Sequence, residues 1–450
     1  MSQSKLAPVA LIVGLTPLAC GPGGIANSGG EDGIADTGTT GEPAPEPEPE
    51  PPPGFPCDFG EPCSETETET ETETGSDDWT EPGDGDGDPE PDPIDVDCSL
   101  SWIILDSAET HGHLGETPIG AGPGGDLITI NPMLIGDNPG IVDSWVRRRA
   151  ANGDLVWTTL VSWGELRDDP LAAITDELGD LVLAGRTDVN TQLEDALIAK
   201  LDGDTGEKLW TFLRGEQGGY QAVTTYGTTF VAVGTIGTGS DARIEVVALD
   251  GDTGELVWST EPFGVGGLAA RAHGIEVVDG EIYVLVDVGQ LELVRLVPPD
   301  GGQETVAVLG EDSAWGPAMV RSGPDHVATV HRDFEGGVTA SRIEVANGGI
   351  TQLLLPTPDG TPVGRVGIAD LGGGQGLAVV GTVEVDDVGT QYIVHLDANL
   401  GLGCTNSFTE ADVGTTRTPE LRGVAAGSGG GVYTGSFIDI DRLSVFARWD

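Results

Sequence analysis

The sequence predicts an all-β chain, a seven-bladed β-propeller behind an export signal and an acidic tail. Three observations carry that expectation. The stretch DALIAKLDGDTGEKLW at 195–210 recurs as IEVVALDGDTGELVW at 244–258, each an alternating apolar strand, a tight turn and a strand opening on Trp. A Gly-containing turn feeding a β-rich run occurs seven times, with aligned apolar positions at Leu127, Leu181, Phe230, Ile282, Val327, Leu377 and Val432. These positions are spaced by roughly 45 to 55 residues, and helical periodicity is missing between them. A unit of that size cannot bury its own faces, so it must stack on its neighbours.

Each start is a hairpin signal, a turn residue cluster followed by β-branched or aromatic residues. They read GGDLITI at Gly124, LGDLVLAG at Leu178, GTTFVAVG at Gly227, DGEIYVLV at Asp279, GPDHVATV at Gly323, GGQGLAVVG at Gly373 and GGGVYTGS at Gly429. In the best repeats the Asp of KLD or ALD precedes the Trp of the last strand, and FARWD, at 446–450, ends on the equivalent Asp. The last blade then lacks an outer strand. SLSWIIL, at 99–105, precedes the first repeat start and is expected to complete that blade, leaving no open edge in the ring.

Before residue 98 the composition is different. Residues 1–19 hold Lys5, an apolar run from Leu6 to Leu18 and small residues ahead of Cys20, the pattern of an export signal and too short to span a bilayer. Residues 20–97 run through EPAPEPEPEPPP, ETETETETET and GDGDGDPEPDP. Such a stretch cannot bury enough apolar area to offset chain entropy, so it is expected to be a disordered linker holding residues 98–450 away from a surface. The GDGDGD run offers carboxylates to Ca²⁺ but lacks the fixed turn and closing bidentate Glu of a loop site, so no cofactor is expected.

The formal net charge is −55, with lysine confined to Lys5, Lys200 and Lys208. Such a surface repels nucleic-acid phosphates and anionic headgroups, which excludes nucleic acid as a partner and leaves a lipid anchor as the only membrane contact. Five cysteines in an exported chain become four if Cys20 is modified. Cys57 and Cys63 flank a short DFGEP segment that permits a small loop, and Cys98 and Cys404 fall on outer strands expected to be neighbours. A bridge between the latter pair would stabilise the fold by roughly 4–5 kcal/mol at most.

Among candidate sites, His111 and His113 in ETHGHLGE have the spacing to chelate a transition metal, but no third ligand is close in sequence. Arg147, Arg148 and Arg149 form a basic cluster in an acidic chain; the readings are cross-strand pairing with acids or a patch for an acidic partner. DGDTG suits an Asx turn with Gly at positive φ and supplies too few oxygens for a metal. Trp157, Trp210 and Trp258 recur at one repeat position and are expected to pack between blades. His326 and His331 are five apart on one strand, so they face opposite sides. His273 and His395 are isolated. No nucleophile elbow, HExxH or Walker loop occurs.

With DALIAKLDGDTGEKLW and AAITDELGDLVLAG in view, residues 98–450 resemble the bacterial β-propeller repeat of secreted and surface proteins (SBBP-type) and the PQQ-like repeat, L-D-x-x-T-G-x-x-x-W. The likeness is specific in two repeats and fades in the others. TPLAC, ending at Cys20, resembles a bacterial lipobox, with Pro17 where Leu is usual; this implies acylation of Cys20 and a lipid-anchored protein, expected at the outer membrane or cell surface. The resemblance implies no quinone chemistry. It offers an analogy with envelope lipoproteins that assist outer-membrane protein assembly. The function expected is a monomeric binding or scaffold module for protein or glycan. The alternative is a hydrolase or lyase with its site in the central channel.

Overall fold

The computed structural model describes the chain from residue 100 onward, apart from residues 108–118, 122–124, 135–141, 165–167, 191–192, 261–262, 265–269, 298–301, 312–314, 334, 359, 373, 386–387, 410–419, 428–430, 439–442 and 450. The export signal, the linker, Cys20, Cys57, Cys63, Cys98, His111 and His113 lie outside the described residues.

Antiparallel hairpins follow one another along the chain because alternating apolar runs are separated by Gly-containing turns. Among the described residues the ladders form five four-stranded sheets and one seven-stranded sheet. The larger one arises because Lys208–Tyr226 is continuous: its first part pairs with Leu193–Leu201 and its second, 218–226, with Thr229–Ile236. Gly215 and Gly218, both at positive φ, turn the strand between the two partners. Counted by ladder, seven four-stranded units follow, numbered here from the one opening at Ile119–Ala121. The aligned apolar positions foreseen in the sequence, from Leu127 to Val432, are all buried and sit at the start of each unit's second strand.

The first strands of the units form the centre. Ile119–Ala121, Asp168–Thr175, 218–226, Arg271–Val278, Trp315–Arg321, Thr361–Asp370 and Glu420–Ala426 each touch the next, and the last touches the first. Seven strands can converge only if their facing side chains are small. A Cβ on Gly274 would lie 2.9 Å from Met319 Cβ, and one on Gly367 2.6 Å from Val424 Cγ1. The cores lie outside this ring, between neighbouring sheets; one joins Val182, Ile198, Trp210 and Phe230, another Val231, Val246, Ile282 and Val284.

The tryptophans lock these seams. Trp157 Nε1 donates to Gly203 O (2.9 Å) and Trp210 Nε1 to Gly251 O (3.2 Å), so each indole of one unit reaches the DGDTG turn of the next. Gly206 and Gly254, at φ +73° and +71°, let the turn meet the ring; a Cβ there would lie 3.0 Å from Trp157 and 2.6 Å from Trp210. Trp258, half-buried, packs against the core of the third seam. Within the turns Asp202 Oδ1 accepts from Asp204 N, Thr205 N and Thr205 Oγ1, and Asp250 repeats the pattern. The carboxylates of Asp202 and Asp250 are structural.

Closure follows the expected route. Leu100–Ser107 pairs antiparallel with Leu443–Trp449, which pairs in turn with Val432–Ile438. The first described strand is therefore the outer strand of the seventh unit. Arg448 Nη1 donates to Ala151 O (2.9 Å) and Tyr433 Oη to Gly125 O, both linking the seventh unit to the first.

Candidate functional site

The small residues that let the inner strands converge also leave space between them. A cavity of about 270 Å³ is lined by strands of the second to seventh units. Its walls are mostly Gly, Ala and aliphatic side chains, including Ala173, Val223, Ile275, Ala318 and Ile368. The polar minority is Gln221, His273, Glu276 and Arg365. Arg365 extends across the neighbouring strand, its Cγ, Cδ and Nε 3.4 Å from where a Cβ on Gly316 would lie. Glu276 keeps some exposure to the cavity itself but is enclosed by strands. Burial pushes its carboxyl up to about 7, against the hydrogen bond from the Arg321 backbone and the Arg321 charge, with Asp370 adding to the rise.

A second feature lies at the periphery. The residue before each docking tryptophan is apolar and exposed: Val156 (52%), Leu209 (49%) and Val257 (55%). Leu155, Leu160, Leu213 and Leu256 extend this surface on the same three outer strands. Register explains it: a β-bulge sits just before each tryptophan, leaving Val156, Leu209 and Val257 as the extra, unpaired residues of their strands.

The arginine cluster divides. Arg148 Nε donates to Asp126 (2.7 Å), and its Nη1 reaches Gly203 O (2.7 Å) in the next unit. Arg149 Nη1 donates to Gly153 O (3.2 Å), and Arg147 is half-buried. Strand register shows what the sequence reading missed. Arg148, Lys200, Arg295, Arg342, His395 and Arg448 occupy one position on the third strand of six units. Four of them reach the following turn: Arg148 to Gly203 O, Lys200 to Gly251 O, Arg342 to Asn399 Oδ1 and Arg448 to Ala151 O. A base followed by an apolar residue at or near the end of the third strand, in five of these six units, was the available signal.

Lys200 is the most enclosed of these cations, 2.9 Å from Asp176 and 3.1 Å from Asp180 and over the Phe230 ring. Burial works against its charge, but the two carboxylates outweigh it and hold the ammonium above its ordinary pKa. Asp143 and Asp168 form a buried acidic pair at the first seam, where Ser144 Oγ donates to Asp168 O (2.9 Å). Burial raises both and pushes Asp168 up to about 6, against hydrogen bonds from Thr187 and Trp163 N, while the Asp143 charge adds to the rise.

His331 is buried and held below its ordinary pKa by desolvation, while His326 faces the other way and meets Asp325. His395 Nε2 contacts Gln375 O (3.0 Å). Cys404 is disulfide-bonded and packs against the cluster containing Phe408, Ala447 and Trp449. Among the described residues no helix is long and apolar enough to cross a membrane.

Sheet topology, DGDTG turns and Trp-to-turn seams together define a propeller built from PQQ-like repeats. A family model described as outer membrane protein assembly factor BamB matches residues 140–264 and again residues 194–303, the two matches offset by about one repeat. They cover the units in which the motif is best preserved. No curated protein matches the chain.

Proposed function

We propose that the propeller is a binding or scaffold module for a protein partner in the cell envelope, anchored through a lipid on Cys20 and held off the membrane by the acidic linker. The observation that carries this reading is the row of exposed apolar residues Val156, Leu209 and Val257 on three consecutive outer strands. Each of these residues stands at the outer end of its unit, where an apolar side chain of a partner can cover it. The row falls within the residues matched by the BamB family model, whose description concerns outer-membrane protein assembly.

Photo-crosslinking in intact cells tests it. A photoreactive residue at Val156, Leu209 or Val257 is expected to give one common protein adduct, and the same residue at exposed Thr238 none. Absence of adducts at all three positions, or equal yield at Thr238, overturns the reading. Labelling with an alkyne fatty acid, abolished by Cys20→Ser, tests the anchor.

A further inference from the structure

We propose that the central cavity binds a ligand carrying a carboxylate on a compact apolar body, either a small free acid or the C-terminal residue of a peptide, with Arg365 as its anion partner. This goes beyond the outer-strand reading and does not rest on it.

Charge distribution is the first support. The chain has 75 acidic and 20 basic residues, yet Glu276 is the one acid among the described residues lining the cavity, which also holds Arg365 and His273. A guanidinium is charged at every accessible pH and presents a planar fork that matches a carboxylate. Its five donors let Arg365 serve a ligand in addition to neighbours within the fold. An amine would meet the same guanidinium as a like charge and would gain little from a carboxyl that burial holds protonated below about 7.

Size and lining are the second support. At about 270 Å³ the cavity falls just below the ~300–1,000 Å³ range of ligand pockets, room for something the size of an amino acid. Leu171, Met319 and Val424, half-buried, would cover an apolar body, and Gln221 and His273 supply the few polar groups that fix orientation.

The pH dependence has a definite sign. Charged and titratable groups facing Glu276 are Arg321, Asp370 and, within the cavity, His273 and Arg365. As pH rises through about 7, Glu276 ionises and places a negative charge beside the anion, so affinity falls.

Titration calorimetry on the purified full-length protein tests the proposal, with N-acetyl-leucine, the tripeptide Ala-Ala-Leu and the amide of each as probes. At pH 6 the free acids are expected to bind and the amides to bind at least about tenfold more weakly, the size of one charge-assisted hydrogen bond. Arg365→Gln is expected to remove that difference. Glu276→Gln is expected to keep acid binding level between pH 6 and 8, where the unaltered protein weakens several-fold; this arm decides if Arg365→Gln does not fold. Preference for the tripeptide over N-acetyl-leucine identifies a peptide terminus, and the reverse a free acid. No binding by either acid, amides equal to acids, or an unchanged Arg365→Gln overturns the proposal.

Discussion

The seam between the second and third units and the seam between the fifth and sixth have the same topology and different chemistry. In the first, Trp210 bonds to Gly251 O, Lys200 sits between Asp176 and Asp180, and Gly254 seats against the indole. In the second, the equivalents by register are exposed Thr351 in place of Trp210 and Arg342, whose contact with Asn399 is long at 3.5 Å, in place of Lys200. What remains is aliphatic packing, with Ala328, Val330, Val338 and Ala340 facing Val366, Ile368 and Val379. Alternation and small inner-strand residues are therefore enough to place a unit in the ring. The repeat motif adds directional locks on top of that placement.

The largest effect is expected at the seam of the sixth and seventh units, where Cys404 is disulfide-bonded. We propose Cys98 as its partner, two residues before Leu100, which pairs with Trp449 in the cluster that Cys404 touches. Cys404→Ser should cost about 4 kcal/mol in denaturant unfolding, and non-reducing peptide mapping should yield a Cys98–Cys404 peptide. Trp210→Ala should cost about 3–5 kcal/mol, combining a large cavity with loss of the bond to Gly251. A loss no larger than that of Thr351→Ala, at the register equivalent in the other seam, would break the comparison.

Lys200→Met leaves Asp176 and Asp180 without their cation and should cost about 3 kcal/mol, since removal of one partner strands buried charge. Arg342→Met should cost under about 1 kcal/mol by the same urea titration. Asp168 gives the acidic counterpart. Its folded pKa is raised to about 6, so the folded state holds more protons than the unfolded one between about 4 and 6. Stability from this group is fully present below about 4 and is lost as pH rises through 6, by about 2–3 kcal/mol. Asp168→Asn should flatten that part of the stability–pH curve. The smallest effect is expected for Thr351→Ala, within about 0.5 kcal/mol.

Much of this was legible in the sequence because it is local. Asp202, Thr205 and Gly206 make a turn with their own neighbours, and Leu181 or Val327 announce a strand because each opens a β-rich run straight after a Gly-containing turn. Trp157 and Trp210 could be assigned to seams because a large apolar side chain recurring beside a turn must bury itself. The basic ring was missed because Arg148 and Lys200 bond to carbonyls about 50 residues onward, which leave no side-chain signature. Arg147, Arg148 and Arg149 drew attention as a run, whereas register gives only Arg148 the recurring role. The continuous strand Lys208–Tyr226 was hidden by its own glycines, which read as a break. Glu276 was illegible among so many acids until the inner strands enclosed it.

Ring closure is the claim on which the rest depends, and hydrogen exchange followed by mass spectrometry tests it without altering the chain. In a closed ring Leu443–Trp449 is an interior strand, paired with Val432–Ile438 on one side and Leu100–Ser107 on the other. Its amides should exchange as slowly as those of Arg243–Asp250, the interior strand at the same position in the third unit. Exchange of 443–449 as fast as that of the outer strand Leu256–Ser259 would contradict closure.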